Sequence, residues 1–112
     1  MIESFGLSAA LATPFDADGE IAIPGVIKQA KHCLANGCKS VTLFGTTGEG
    51  ASIGMQERQQ VLAAMLEAGI SPKQIVMGVL VDAAEDAAAQ AGQALAHGVR
   101  NILLAPPCYF KN

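Results

Sequence analysis

No tryptophan occurs in these 112 residues, tyrosine occurs once, and charged side chains make up only 15% of the chain. Low charge beside a hydrophobic fraction of 51% excludes a self-repelling disordered polypeptide and leaves a core-rich globular one. A formal net charge of −3 offers no electrostatic basis for binding nucleic acid or an anionic membrane. No basic residue precedes Lys28, whereas a secretory leader carries positive charge near its start. Apolar runs stay short of the ~18 residues needed to span a bilayer. Cysteine is scarce and odd in number: Cys33, Cys38 and Cys108 lack the paired spacing of a metal site. Buried thiols in a reducing compartment are the expectation, and with them a cytoplasmic protein without a metal.

The length is that of one ordinary domain. Leu7 to Thr13 reads as a strand closed by Pro14 and the turn-forming DADGE of residues 16–20. Val26, Ile27, Ala30 and Leu34 then fall on one helical face, with Pro24 suited to the first turn and Gly37 to the stop. Lys39 to Phe44 reads as a buried strand. Val61, Leu62, Met65 and Leu66 trace a second helical stripe, ended by Gly69. Gln74 to Leu80 is the third strand, and Asp82 with Glu85 suits the cap of an alanine-rich helix ending at Gly98. Arg100 to Ala105 is the fourth strand.

The chain echoes itself. LANGCKSVTLFG, EAGISPKQIVMGV and AHGVRNILLAP each run from a helix end through glycine and a basic residue into an apolar strand. Their glycines stand 32 and 29 residues apart. Continuous apolar strands alternating with helices imply a parallel sheet in the order βαβαβαβ. Two architectures remain open at this point: a small open parallel sheet, doubly wound, or the N-terminal half, four strands and three helices, of a (β/α)8 barrel.

In either architecture function gathers where parallel strands end. Three stretches meet that condition: TPF after the first strand, GTTGEG after the second and PPCYF after the fourth. Gly45 and Gly48 let the backbone turn and approach a ligand, while Thr46 and Thr47 offer donors to a small anion such as a carboxylate. The loop is not a Walker A motif, because no Lys-Ser/Thr follows the glycines, and it lacks the dinucleotide fingerprint. Glu49 suits an acid or a cap of backbone donors, and Tyr109 suits either chemistry or an interface. His97 reads as a helix-end histidine and His32 as a surface or packing residue.

ALATPFDADGEI, GTTGEG and APPCYF, in that order and spacing, resemble the dihydrodipicolinate synthase and N-acetylneuraminate lyase family. The resemblance covers the whole chain but only the first four of that family's eight βα units. It implies an incomplete (β/α)8 barrel over residues 1–112, the first half of one catalytic domain, in a homotetramer that uses no cofactor. The chemistry implied is that of a class I aldolase. A lysine forms a Schiff base with pyruvate, and the enamine adds to an aldehyde or arises by cleavage of a 2-keto acid. By position Thr47 resembles the residue that binds the pyruvate carboxylate. Thr46 and Tyr109 resemble members of a proton relay, the tyrosine reaching into a neighbouring subunit. The Schiff-base lysine of the family belongs to a sixth strand, and none of the five lysines present here is placed to replace it. Lys28 and Lys31 fall on the first helix, Lys39 and Lys73 at the opposite ends of strands, and Lys111 in an exposed tail. Cys108 and Phe110-Lys111-Asn112 depart from the synthase pattern, while the threonine pair favours the synthase over the sialic-acid lyases.

Overall fold

The computed structural model describes residues 7–45, 53–79 and 84–104. Four strands, β1 (Ser8–Ala10), β2 (Ser40–Leu43), β3 (Ile75–Val79) and β4 (Asn101–Leu104), alternate with three helices, α1 (Ile23–Ala35), α2 (Met55–Glu67) and α3 (Ala84–Ala96). Each helix is followed by a glycine in the left-handed region, Gly37, Gly69 and Gly98 at φ +105°, +94° and +87°. That conformation is easy only without a Cβ. The internal echo in the sequence is therefore one helix-terminating device used three times. Pro24 lies in the first turn of α1, and Val26 and Ala30 are its buried residues. The stripe on α2 buries Val61, Leu62 and Met65.

The strands are shorter than the apolar runs suggest. Beyond Ala10 the chain leaves β1, and Gln29 holds Ala12 instead: its Nε2 donates to the Ala12 carbonyl at 3.0 Å and its Oε1 accepts from the Ala12 N–H at 3.2 Å. Gln74 falls in a 3-10 turn over Pro72–Gln74, where its Oε1 accepts from the Ser71 N–H at 3.1 Å. A side chain that caps its own turn competes with strand pairing. Leu80, Asp82 and Ala105, expected at the edges of elements, lie outside the described residues. The DADGE stretch forms the expected turn, with Asp16 Oδ1 accepting from the Asp18 and Glu20 amides at 2.9 and 3.0 Å. Cys33 and Cys38 are free but only half-buried, so the expectation of buried thiols does not hold for them. Cys108 lies outside the described residues.

Strand order decides between the two architectures. The sheet runs β1-β2-β3-β4, and all three pairings are parallel. A doubly wound sheet reverses its order at a switch point; this one never does. Consecutive, singly wound βα units are the construction of a (β/α)8 barrel, and four strands with three helices are its first half.

The register sorts the sheet into two faces. Ala9, Val41 and Ile75 align across the strands, as do Leu43, Met77 and Ile102. These residues join Val26, Ala30, Val61, Leu62, Met65 and Ala94 of the helices in one apolar cluster. The opposite face carries Ser8, Ala10, Ser40, Thr42, Val76, Gly78, Asn101 and Leu103, smaller and more polar residues suited to the tapering interior of a barrel. Ser8 and Thr42 hydrogen-bond there through their hydroxyls at 2.9 Å.

Within the described sheet, β1 and β4 each pair on one side only. Leu7 beside β1 and Leu103 and Leu104 of β4 are 66, 49 and 64% exposed, and Leu95 of α3 is 56% exposed. Burying a leucine fully gains ~1.5–3 kcal/mol, and open apolar edges invite pairing. Residues 1–112 produced alone are therefore expected to associate or to stay molten. Light scattering after size exclusion checks this, and a monodisperse monomer with a sharp denaturant transition contradicts it.

Candidate active site at the carboxyl edge of the sheet

The chain leaves β2 through Phe44, which is buried and takes φ +60°. A residue with a Cβ pays ~1–2 kcal/mol in that left-handed region, so its surroundings must hold it there. Two contacts do so. Gly78 of β3 lies directly against the turn, where a Cβ would stand 2.4 Å from the Phe44 carbonyl oxygen and 2.9 Å from the Gly45 nitrogen. Only glycine admits that approach.

The second contact comes from α2. Arg58 is fully buried, and its guanidinium carbon lies 4.8 Å from the centroid of the Phe44 ring. Nη1 donates to the Gly78 carbonyl at 2.7 Å and Nε donates to the Ile53 carbonyl at 3.2 Å. Burial lowers its pKa to about 10, so the group is still a cation at neutral pH. A desolvated cation strengthens both its hydrogen bonds and its attraction to the ring. Glu57, one residue earlier, accepts from the Gly54 N–H at 3.1 Å and fixes the start of α2.

The sequence expectation placed the turn at the glycines. Among the described residues of this turn, Phe44 and Gly45, the left-handed one is Phe44. A Cβ on Gly45 would meet only Thr42 Cγ2 at 3.7 Å and Leu103 Cδ2 at 4.0 Å, which is ordinary contact. Gly45 is thus buried between the ends of β2 and β4, and the glycine demanded by packing is Gly78. Thr46, Thr47, Gly48, Glu49 and Tyr109 lie outside the described residues.

Thr13 of the TPF stretch is buried at the end of the segment that follows β1. The chain ends that follow β1 and β2 are thereby brought to the same edge as Gly78. Lys28, Lys31, Lys39 and Lys73 are exposed on α1 or ahead of β2 and β3, away from that edge. Lys111 is outside the described residues. His32 is exposed on α1. His97 follows α3 with Nδ1 3.0 Å from the Gln93 carbonyl oxygen, a helix-end contact as expected.

Sequence reasoning passed over Arg58 and Gly78, yet each carried a signal. Arg58 precedes Val61, Leu62 and Met65 by three, four and seven positions, which puts it on the apolar stripe of α2. Gly78 interrupts the apolar run IVMGV, and a glycine inside a strand marks a close backbone approach. Phe44 gave no such signal.

The model of the dihydrodipicolinate synthetase family matches residues 3–112. The chain belongs to that family. A crystal structure of dihydrodipicolinate synthase from Agrobacterium tumefaciens is 62% identical, with a TM-score of 0.91 over 97% of this chain and 38% of that one. The N-acetylneuraminate lyase of Proteus mirabilis is 30% identical, with a TM-score of 0.82 over 99% of this chain and 38% of its own. A 4-hydroxy-tetrahydrodipicolinate synthase of Corynebacterium diphtheriae is 34% identical over 112 residues, 98% of this chain and 37% of that protein. The chain thus spans little more than a third of the length of these relatives.

Two glycine substitutions separate packing from propensity. Gly78→Ala is expected to cost about 2–3 kcal/mol, because backbone atoms must move to admit the methyl group. Gly92→Ala, in α3 with nothing within 4 Å of its Cβ position, is expected to gain ~0.5–1 kcal/mol. Urea melts of both variants beside the parent, each in the full-length protein, measure the difference.

Proposed function

We propose that residues 1–112 form the carboxylate-binding half of a pyruvate-dependent, Schiff-base-forming lyase. The favoured activity is that of 4-hydroxy-tetrahydrodipicolinate synthase, which condenses pyruvate with aspartate semialdehyde on the way to lysine. The observation that supports this reading most is positional. Phe44 and Gly45 lie at the carboxyl edge of a singly wound parallel sheet, immediately before Thr46-Thr47 in a chain of this family. In this reading Thr47 binds the pyruvate carboxylate, with Gly45 and Gly48 shaping the loop, and Thr46 and Tyr109 relay protons. A lysine contributed by the rest of the barrel attacks the keto carbon and expels water to give the imine. Loss of a C3 proton then yields the enamine that adds to the aldehyde. Cytoplasmic location and a homotetramer, with Tyr109 reaching a neighbouring subunit, belong to the same proposal. Cleavage of a sugar-derived 2-keto acid is the second reading, favoured by the similarity to the Proteus lyase.

The chemistry explains why a half-barrel is insufficient. An amine must shed its proton and its water to attack a carbonyl near neutral pH. Lys28, Lys31, Lys39 and Lys73 are all exposed. Residues 1–112 treated with pyruvate and borohydride are expected to keep their mass, whereas the full-length protein gains one reduced pyruvyl group per subunit. An adduct on any lysine of the isolated segment contradicts the assignment.

In the full-length protein Thr47→Val is expected to weaken pyruvate binding more than folding. The shape survives, but a hydrogen bond to a charged group worth ~1.5–3 kcal/mol is lost, a tenfold or greater rise in the pyruvate KM. An unchanged KM with an unchanged melting temperature reduces the loop to a turn.

A further inference from the structure

We propose that Arg58 is a positioning residue for the substrate loop: from within α2 it clamps Phe44 and Gly78 together and so sets the direction in which the chain leaves β2 toward Thr46 and Thr47. The inference rests on the functional reading above and extends it to a residue that touches no substrate.

The argument begins with cost. A fully buried guanidinium loses its hydration, and the lowered pKa records that loss. An apolar residue of similar volume at position 58 would extend the stripe of Val61, Leu62 and Met65 without this penalty. What arginine supplies, and an apolar residue cannot, is a planar fork with fixed directions. One arm of that fork reaches the carbonyl of Gly78, the residue whose missing Cβ lets the Phe44 carbonyl approach. Nε reaches Ile53, just ahead of α2. The guanidinium carbon itself lies over the Phe44 ring, 4.8 Å from its centroid. Three segments, the end of β2, the end of β3 and the entry to α2, are thus referred to one rigid group. Residues 46–52, between Phe44–Gly45 and Ile53, contain Thr46 and Thr47, so Arg58 anchors the substrate loop at both ends. Displacing a substrate-positioning group by ~1 Å costs on the order of 10²-fold in rate, so fixing both anchors bears directly on the reaction.

The test compares Arg58→Lys with Met65→Ala in the full-length protein. Lysine keeps the charge and most of the stem but has no fork. Met65→Ala, two turns along the same buried stripe, loosens the core without touching Phe44 or Gly78 in this way. At temperatures where both variants remain folded, Arg58→Lys is expected to raise the pyruvate KM about tenfold and to speed amide exchange of residues 44–53 at least tenfold. Met65→Ala is expected to change neither beyond its global loss of stability. If Arg58→Lys does not fold, Phe44→Leu, which removes the ring facing the guanidinium, is expected to show the same pattern. Exchange and KM that track global stability equally in the compared variants overturn the positioning role. A parent protein that forms no imine with pyruvate overturns the functional reading instead, and the exchange comparison alone then decides the role of Arg58.

Discussion

The contact between the backbone of Gly78 and the carbonyl of Phe44 governs the arrangement of this edge of the sheet. Parallel strands stand roughly 4.8 Å apart, and a turn at the end of one normally rises clear of the next. Here the chain leaving β2 is pressed against β3, at a distance no Cβ permits. The Phe44 side chain is thereby driven inward, where it is buried, while its backbone pays for the left-handed conformation. Arg58 recovers part of that cost. Its hydrogen bond to the Gly78 carbonyl and its attraction to the Phe44 ring are both strengthened by exclusion of water. Strain, glycine and buried cation therefore form one device, and none of the three makes physical sense without the others.

The division of the sheet into two faces gives that device its setting. Helices covering one face bury Val41, Leu43, Ile75 and Met77 and supply the bulk of the apolar contact. The other face bears hydroxyls and small side chains, among them the bonded pair Ser8 and Thr42. Burying hydroxyls is costly unless they find partners, so such a face is a poor choice for adhesion alone. It suits the inside of a barrel, where small side chains leave room and strand ends open toward substrate. The apolar helix face holds the structure together, and the quieter inner face leads to Thr42, Gly45 and the loop beyond.

Much of this was legible in the sequence because local rules and tertiary packing agree there. The three glycines that follow helices, the stripe from Val26 to Leu34 and the turn around Asp16 each follow from chemistry within a few residues. Strand limits were less legible. Gln74 and Ala12 engage in hydrogen bonds that draw them out of strand pairing, and apolarity alone does not register such competition. The choice of barrel over open sheet was also beyond periodicity, since strand order is set by which apolar strands meet across the whole chain. It came at the sequence level only from the resemblance. At the site the glycines of GTTGEG drew attention because they are adjacent to the threonines. The residue that turns is Phe44, whose type disfavours the conformation it adopts. Its partners Gly78 and Arg58 are 34 and 14 positions away. A strained residue held by distant neighbours is invisible to any local rule, which is why such places are read more easily as anomalies: a glycine in a strand, an arginine on an apolar stripe.

The same reasoning bears on how the proposed reaction divides its labour across a barrel. Binding a carboxylate needs hydroxyls and amides held in a fixed geometry, and a strained turn clamped from below supplies fixed geometry. Forming an imine needs an amine stripped of water and proton, which requires an enclosed environment. Among the described residues, four strands with an unpaired edge on each side and leucines open to solvent do not enclose an amine, and the described lysines lie exposed. Orientation can be built on an open sheet; desolvation cannot. Closure of the barrel is therefore a chemical requirement of the proposed reaction as well as a structural one. In the proposed reaction the amine comes from outside residues 1–112, while the hydroxyls assigned to the carboxylate follow directly on the turn that Phe44, Gly78 and Arg58 fix.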